Sequence, residues 1–124
     1  MCLELLRVKK LTKPLTVYKG IVYIPLAGYF TPYKSIPLPS KLEGYEFIAK
    51  EPIILSRNFI GEGVIHAYTK LSSARVKLEI CFRIPYIRYE IWRCTINKGE
   101  TVYIGTGNTI GAKMITFNKR IGHV

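Results

Sequence analysis

Between residues 83 and 93, cations and aromatics interleave: Arg83, Tyr86, Arg88, Tyr89, Trp92 and Arg93. Bases stack on aromatic faces while guanidinium forks grip phosphates, so this combination suits a nucleotide. On an extended strand, side chains alternate faces. Tyr86, Arg88 and Glu90 then share one face, and Ile87, Tyr89 and Ile91 the other. Only part of the set can converge, and a core strand with one solvated cationic face is the plainer reading. Gly105-Thr106-Gly107-Asn108, with Lys113 beyond, could offer backbone N–H groups to a phosphate. It lacks the Gly-Lys-Ser/Thr spacing of a P-loop, and a hairpin turn accounts for the same residues. Tyr29, Phe30 and Tyr33, with Lys34 adjacent, could wall a ligand or simply pin their loop to the core.

Acid–base chemistry has few candidates. His66 is the one histidine inside the expected fold, since His123 lies near the end of the chain. It could act as a base or donate to phosphate, and a hydrogen-bonded structural role competes with both. Glu62 and Glu79 are the acids to pair with it, although Glu62 would lie roughly 13 Å along a strand. No serine sits in a nucleophile-elbow sequence. A Cys94–His66 nucleophile is a formal option only. Cys2, Cys81 and Cys94 are too scattered for zinc or a disulfide framework, so Cys81 and Cys94 read as small buried side chains. No cofactor and no metal are expected.

The charge balance defines a class of partner. Nineteen Lys and Arg oppose eight acids, a formal charge of +11, and all eight acids are Glu. Such a field attracts nucleotides, nucleic acid or an acidic surface. Carboxylate-rich Mg²⁺ and Ca²⁺ sites usually draw on Asp, which is absent, so anion binding is favoured over metal-assisted catalysis. The length of 124 residues and 48% hydrophobic content suit one packed domain. No apolar run approaches the roughly 20 residues of a membrane span, and the N-terminal stretch makes a poor signal peptide. A cytoplasmic protein without a membrane partner is expected, with homo-oligomerisation left open.

The elements that must position these residues are mostly strands. Residues 17–24, 45–49, 52–55, 64–69, 86–96, 101–104 and 112–117 carry strand patterns. Five punctuating residues within 25–39 mark a long Pro-rich loop over 25–44. Residues 70–82 match a helical stripe with Thr69 as N-cap, while an alternation from Arg75 keeps a strand as the rival. Along 86–96 the apolar positions switch from odd to even near Ile91-Trp92, which predicts a bulge. Asn97-Lys98-Gly99-Glu100 then predicts a hairpin over 84–104. A basic tail is expected from about 118. The fold class expected is α+β: a curled, mostly antiparallel sheet with one helix.

Gly63-Val64-Ile65-His66-Ala67-Tyr68, Ala74, Cys94-Thr95-Ile96-Asn97-Lys98-Gly99, Val102-Tyr103 and Lys113-Met114-Ile115 together resemble small uncharacterised accessory proteins of tailed bacteriophages. Their pattern is Gly-x-x-His-Ala followed by a Lys-Gly hairpin, here with Asn97 for the usual Pro and Glu100 for the usual Thr. The match spans 61–117. It implies a phage accessory protein and no particular mechanism. By analogy with small phage proteins that sequester immune signals, the leading expectation is non-enzymatic capture of a nucleotide, such as a cyclic di- or oligonucleotide. Arg88, Arg93, Lys113 and His66 would meet phosphate, Asn108 would belong to the nest, and Tyr33, Tyr68 or Trp92 would stack on a base. The rivals are a DNA- or RNA-binding protein and a small nucleotide-processing enzyme using His66 with Glu62 or Glu79.

Overall fold

The computed structural model describes residues 3–32, 36–56, 59–60, 63–81 and 87–123. Twelve strands and one helix follow in the order β1 (Leu3–Lys10), β2 (Leu15–Ile24), β3 (Gly28–Phe30), β4 (Pro37–Leu38), β5 (Glu46–Ile48), β6 (Leu55–Ser56), β7 (Phe59–Ile60), β8 (Ile65–Tyr68), α1 (Leu71–Cys81), β9 (Arg88–Ile96), β10 (Thr101–Gly105), β11 (Thr109–Ala112) and β12 (Met114–His123). The main path of the antiparallel sheet is β5-β12-β9-β2-β8-β11-β10-β1-β7-β6, with β3 and β4 branching from β2, and among the described residues it does not close on itself. With one helix against twelve strands the fold is mostly β, and the expected α+β balance does not form. The helix runs over Leu71–Cys81, close to the expected 70–82, and the rival strand from Arg75 is excluded.

Near one end of this path, β9 lies between β2 and β12. Its ladder with β2 runs unbroken from Leu15↔Ile96 to Tyr23↔Arg88, so no bulge occurs at Trp92. The irregularities sit across the other ladder, in β12, between Phe117 and Lys119 and between Arg120 and Gly122. Asn118, at the first of them, accepts a 2.6 Å hydrogen bond from the Thr95 hydroxyl at Oδ1. The apolar phase switch has another cause. Trp92, Cys94 and Ile96 face a large core shared with Val17, Ile21, Ile65, Val102, Ile110, Ile115 and Phe117. Tyr89 and Ile91 face the opposite way and pack with Val22 and Ala74 of the helix. A strand covered on both faces at one end and on one face at the other shows such a switch without any extra residue.

The predicted 84–104 hairpin does not form either, because β9 and β10 are not partners. The turn at Asn97–Glu100 instead clasps Leu11, whose N–H donates to the Glu100 carbonyl and whose carbonyl accepts from Gly99, both at 2.9 Å. The true hairpin joins β10 and β11. Its tip, Thr106–Thr109, has positive φ at Gly107 and Asn108 (65° and 60°) and a 3.3 Å bond from Thr109 N–H to the Thr106 carbonyl. That is the backbone of a type I′ turn.

The long loop over 25–44 also contains structure. Its β3 pairs with β2 and β4, carrying Tyr29 opposite Tyr23 and Leu38. The expected tail is part of β12, which stays paired with β9 as far as His123↔Glu90. Gly63 has φ of +86°, and a Cβ there would lie 2.3 Å from the Pro52 carbonyl oxygen, so only glycine fits. Among the described residues, no helix is long and apolar enough to cross a membrane.

Candidate functional site

Even-numbered residues of β9 share the inward face, and at its N-terminal end that face carries a charge. Glu90 is fully buried. The Trp92 indole N–H donates to Glu90 Oε1 at 3.0 Å. Arg88 Nε lies 2.7 Å from Oε2, and Arg120 Nη1 lies 3.5 Å from the same oxygen. The Oε2 contacts satisfy an ion-pair distance without hydrogen-bond alignment, and the Coulomb attraction acts at that range regardless. A lone buried carboxylate would be expensive, and two guanidiniums with an indole N–H offset that cost.

The arginines are only half covered, with side-chain exposures of 43% for Arg88 and 50% for Arg120. Arg88 Cζ stands 4.5 Å from the centroid of the Tyr23 ring, its partner in the β2 ladder, in a cation–π arrangement. Tyr29 adds a second ring 5.0 Å from Tyr23 and 6.3 Å from Trp92. Its phenol pKa is raised by burial first, then by the charge of Glu90 and a hydrogen bond to it, while Arg88 pulls the other way. Two cations and one carboxylate leave a net +1, facing solvent beside two tyrosines. The cluster therefore presents a positive, half-exposed surface with an aromatic wall.

A second charge lies deeper on the same face. Lys19 is opposite Trp92 in the β2–β9 ladder and is buried. Its ammonium donates to the His66 carbonyl at 2.9 Å. Burial pushes its pKa down from 10.5 to about 8, with the nearby Cys94 opposing slightly. The buried Cys94 thiol is pushed up from 9.0 to about 12 by the same desolvation, with Lys19 opposing.

The sequence-derived site residues do not form one site. Arg88 and Trp92 meet through Glu90 on the inward face, but Trp92 is buried and its N–H is committed there. Arg93 is exposed on the opposite face. It belongs to a row in register across four strands, Tyr68, Tyr18, Arg93 and Lys119. Tyr18 and Tyr68 pack against the helix-side cluster. Half-buried His66 shares that face on β8, opposite Gly111, with Nε2 shielded from solvent.

Asn108 is tied to the helix start. Its Nδ2 donates to Ser73 Oγ at 3.2 Å, and its carbonyl accepts from the Thr69 N–H at 2.8 Å and the Thr69 hydroxyl at 3.3 Å. Thr69 therefore braces the β10–β11 tip, and the expected N-cap role falls away. Lys113 is exposed between β11 and β12, with its carbonyl accepting from Ala49 N–H. Tyr33 and Glu62 lie outside the described residues, and Glu79 is placed on α1. Among the described residues, no three His, Cys or Glu side chains gather as a metal set.

Sequence reasoning missed Lys19, Arg120 and Tyr23. The available signal was a single charge inside an apolar strand, Tyr18-Lys19-Gly20-Ile21 and Tyr89-Glu90-Ile91-Trp92. Comparison with known families, curated proteins and solved structures found no match.

Proposed function

We propose that this protein binds an anionic nucleotide without transforming it, at the Arg88–Arg120 pair. The observation that carries the reading is the fully buried Glu90 holding two half-exposed guanidiniums beside Tyr23 and Tyr29. A phosphate would take the outward guanidinium nitrogens, and a base would lie against a tyrosine ring. The net +1 of the cluster suits a phosphodiester of a cyclic di- or oligonucleotide. In a phage setting such capture would withhold a signal from its host receptor.

The test is calorimetry against a panel of cyclic and linear nucleotides with three proteins. Arg120→Ala should weaken binding by about 1.5–3 kcal/mol, as for a charge-assisted bond. Arg93→Ala should leave it unchanged. Loss of binding in Arg93→Ala but not in Arg120→Ala would refute the placement.

One observation favours a second reading, nucleic-acid binding on the helix-side face. Arg93 and Lys119 are adjacent and exposed there. Arg75 of the helix reaches the same area, its Nη2 lying 3.8 Å from where a Gly122 Cβ would be. This surface would track a phosphate backbone instead of enclosing a small ligand.

A further inference from the structure

We propose that the free edge of β1 binds an extended acidic peptide by strand addition. One edge of β1 is paired with β10 from Leu5↔Gly105 to Lys10↔Thr101. On the other edge, among the described residues, β7 pairs only with Leu3 and Glu4. The stretch Leu6–Lys10 is exposed throughout, and its apolar members Leu6 and Val8 are 64% and 51% exposed. An open edge presents unpaired backbone N–H and C=O groups in a row, a template for another chain.

The ladder fixes which chain fits. Arg7 and Lys9 stand opposite Ile104 and Val102, and Val8 opposite Tyr103. Residues opposite one another share a face, so one face of the edge carries Arg7 and Lys9 and the other carries Val8, with Lys10 after it. Lys10 adds a further positive charge at the end. A second copy of this chain would bring like charges together across the new ladder, which is destabilising. The register shift between Leu5 and Arg7 further limits pairing to a short run. The same cations attract a strand with acids on one face and apolar residues on the other. Charge therefore selects an acidic partner and rejects self-pairing, whereas a mere aggregation guard would not need exposed Leu6 and Val8.

The probe is a labelled peptide of about eight residues alternating Glu and Val, long enough to cover the edge. Two further versions are N-methylated at every second residue, one in each phase. Binding to wild-type protein is read by fluorescence anisotropy, and amide exchange is followed over Arg7–Lys10. The parent peptide should bind and slow that exchange. One N-methyl phase should lose roughly tenfold or more in affinity, because it removes the donors of the ladder, and the other should retain it. The doubly reversed variant Arg7→Glu with Lys9→Glu, checked for folding by circular dichroism, should lose the acidic probe and take up one alternating Lys and Val. Equal binding of all three acidic peptides would mean attraction to the net charge alone and overturn the proposal. So would concentration-dependent dimerisation of wild-type protein, in sedimentation velocity, through this edge.

Discussion

Glu90 and Lys19 are buried charges on the same face of the same two strands, yet they are treated in opposite ways. Glu90 has two guanidiniums and an indole N–H around it. Lys19 has a backbone carbonyl and a neighbouring thiol, and desolvation dominates, so its pKa falls to about 8. In the first region counter-charges surround the buried carboxyl, and those counter-charges remain half exposed. The second region carries a burden that the fold tolerates. A carboxylate that organises cations is a candidate for function, while a lysine held by one carbonyl is a local weakness.

The largest expected effect comes from removing the organiser. Glu90→Ala should destabilise the protein by about 3 kcal/mol, combining a cavity, an orphaned indole donor and two released cations. Because Arg88 and Arg120 can regain water, the loss should stay below that of a fully buried triad. Urea unfolding would measure it, and a change under 1 kcal/mol would erase the distinction between the two regions.

Lys19→Met should act in the opposite direction. The shift from 10.5 to about 8 corresponds to a penalty of about 3 kcal/mol at neutral pH, less about 1 for the lost hydrogen bond to the His66 carbonyl. Met should therefore stabilise by roughly 2 kcal/mol at pH 7. In the wild type, between pH 8 and 10.5 the unfolded chain holds a proton that folded Lys19 has released, so stability rises with pH. Cys94 works the other way between 9 and 12, since the unfolded thiol ionises first. The two slopes sum to a rise from 8 to 9, near-cancellation to 10.5 and a fall beyond. The advantage of Met should shrink across 8–10.5, and an advantage that does not change with pH would contradict the account of Lys19.

The smallest effect is that of Arg120→Ala on stability. Arg120 is half exposed and 3.5 Å from Glu90, with Arg88 closer. Solvent screening should hold the loss to about 0.5–1 kcal/mol. A stability loss as large as that of Glu90→Ala would make Arg120 structural and remove it as a ligand group.

Parts of this arrangement were legible in the sequence. The β2 and β9 strands followed from β-branched and aromatic content. Periodicity left helix and strand open over 70–82, and of the two features that favour the helix, small residues near Ala74 and a Thr69 cap, the cap does not form. The shared face of Arg88 and Glu90 followed from alternation alone. The rest depended on partners distant in the chain. The bulge was assigned to Trp92 because phase was read from one strand, when a change in which face the helix covers explains it. The β1 strand was missed because Leu3–Lys10 is an edge whose exposed stretch alternates weakly. Arg120 read as tail because the bulges of β12 break its periodicity, and Tyr23 became relevant only once the β2–β9 register placed it against Arg88.

The central claim is that the anion is small and held at the Glu90 cluster, and not spread along a cationic track. Salt dependence tests it most directly. Affinities for a cyclic dinucleotide and for duplex DNA should be measured by calorimetry across one salt series. A ligand held by two guanidiniums should lose little, with a slope of log K against log salt of about −1 to −2, whereas a duplex neutralising six charges gives about −5. The account predicts the shallow slope, tighter dinucleotide binding at physiological salt, and loss of that binding in Arg120→Ala. Tight duplex binding with the steep slope, lowered by Arg93→Ala and indifferent to Arg120→Ala, would contradict it.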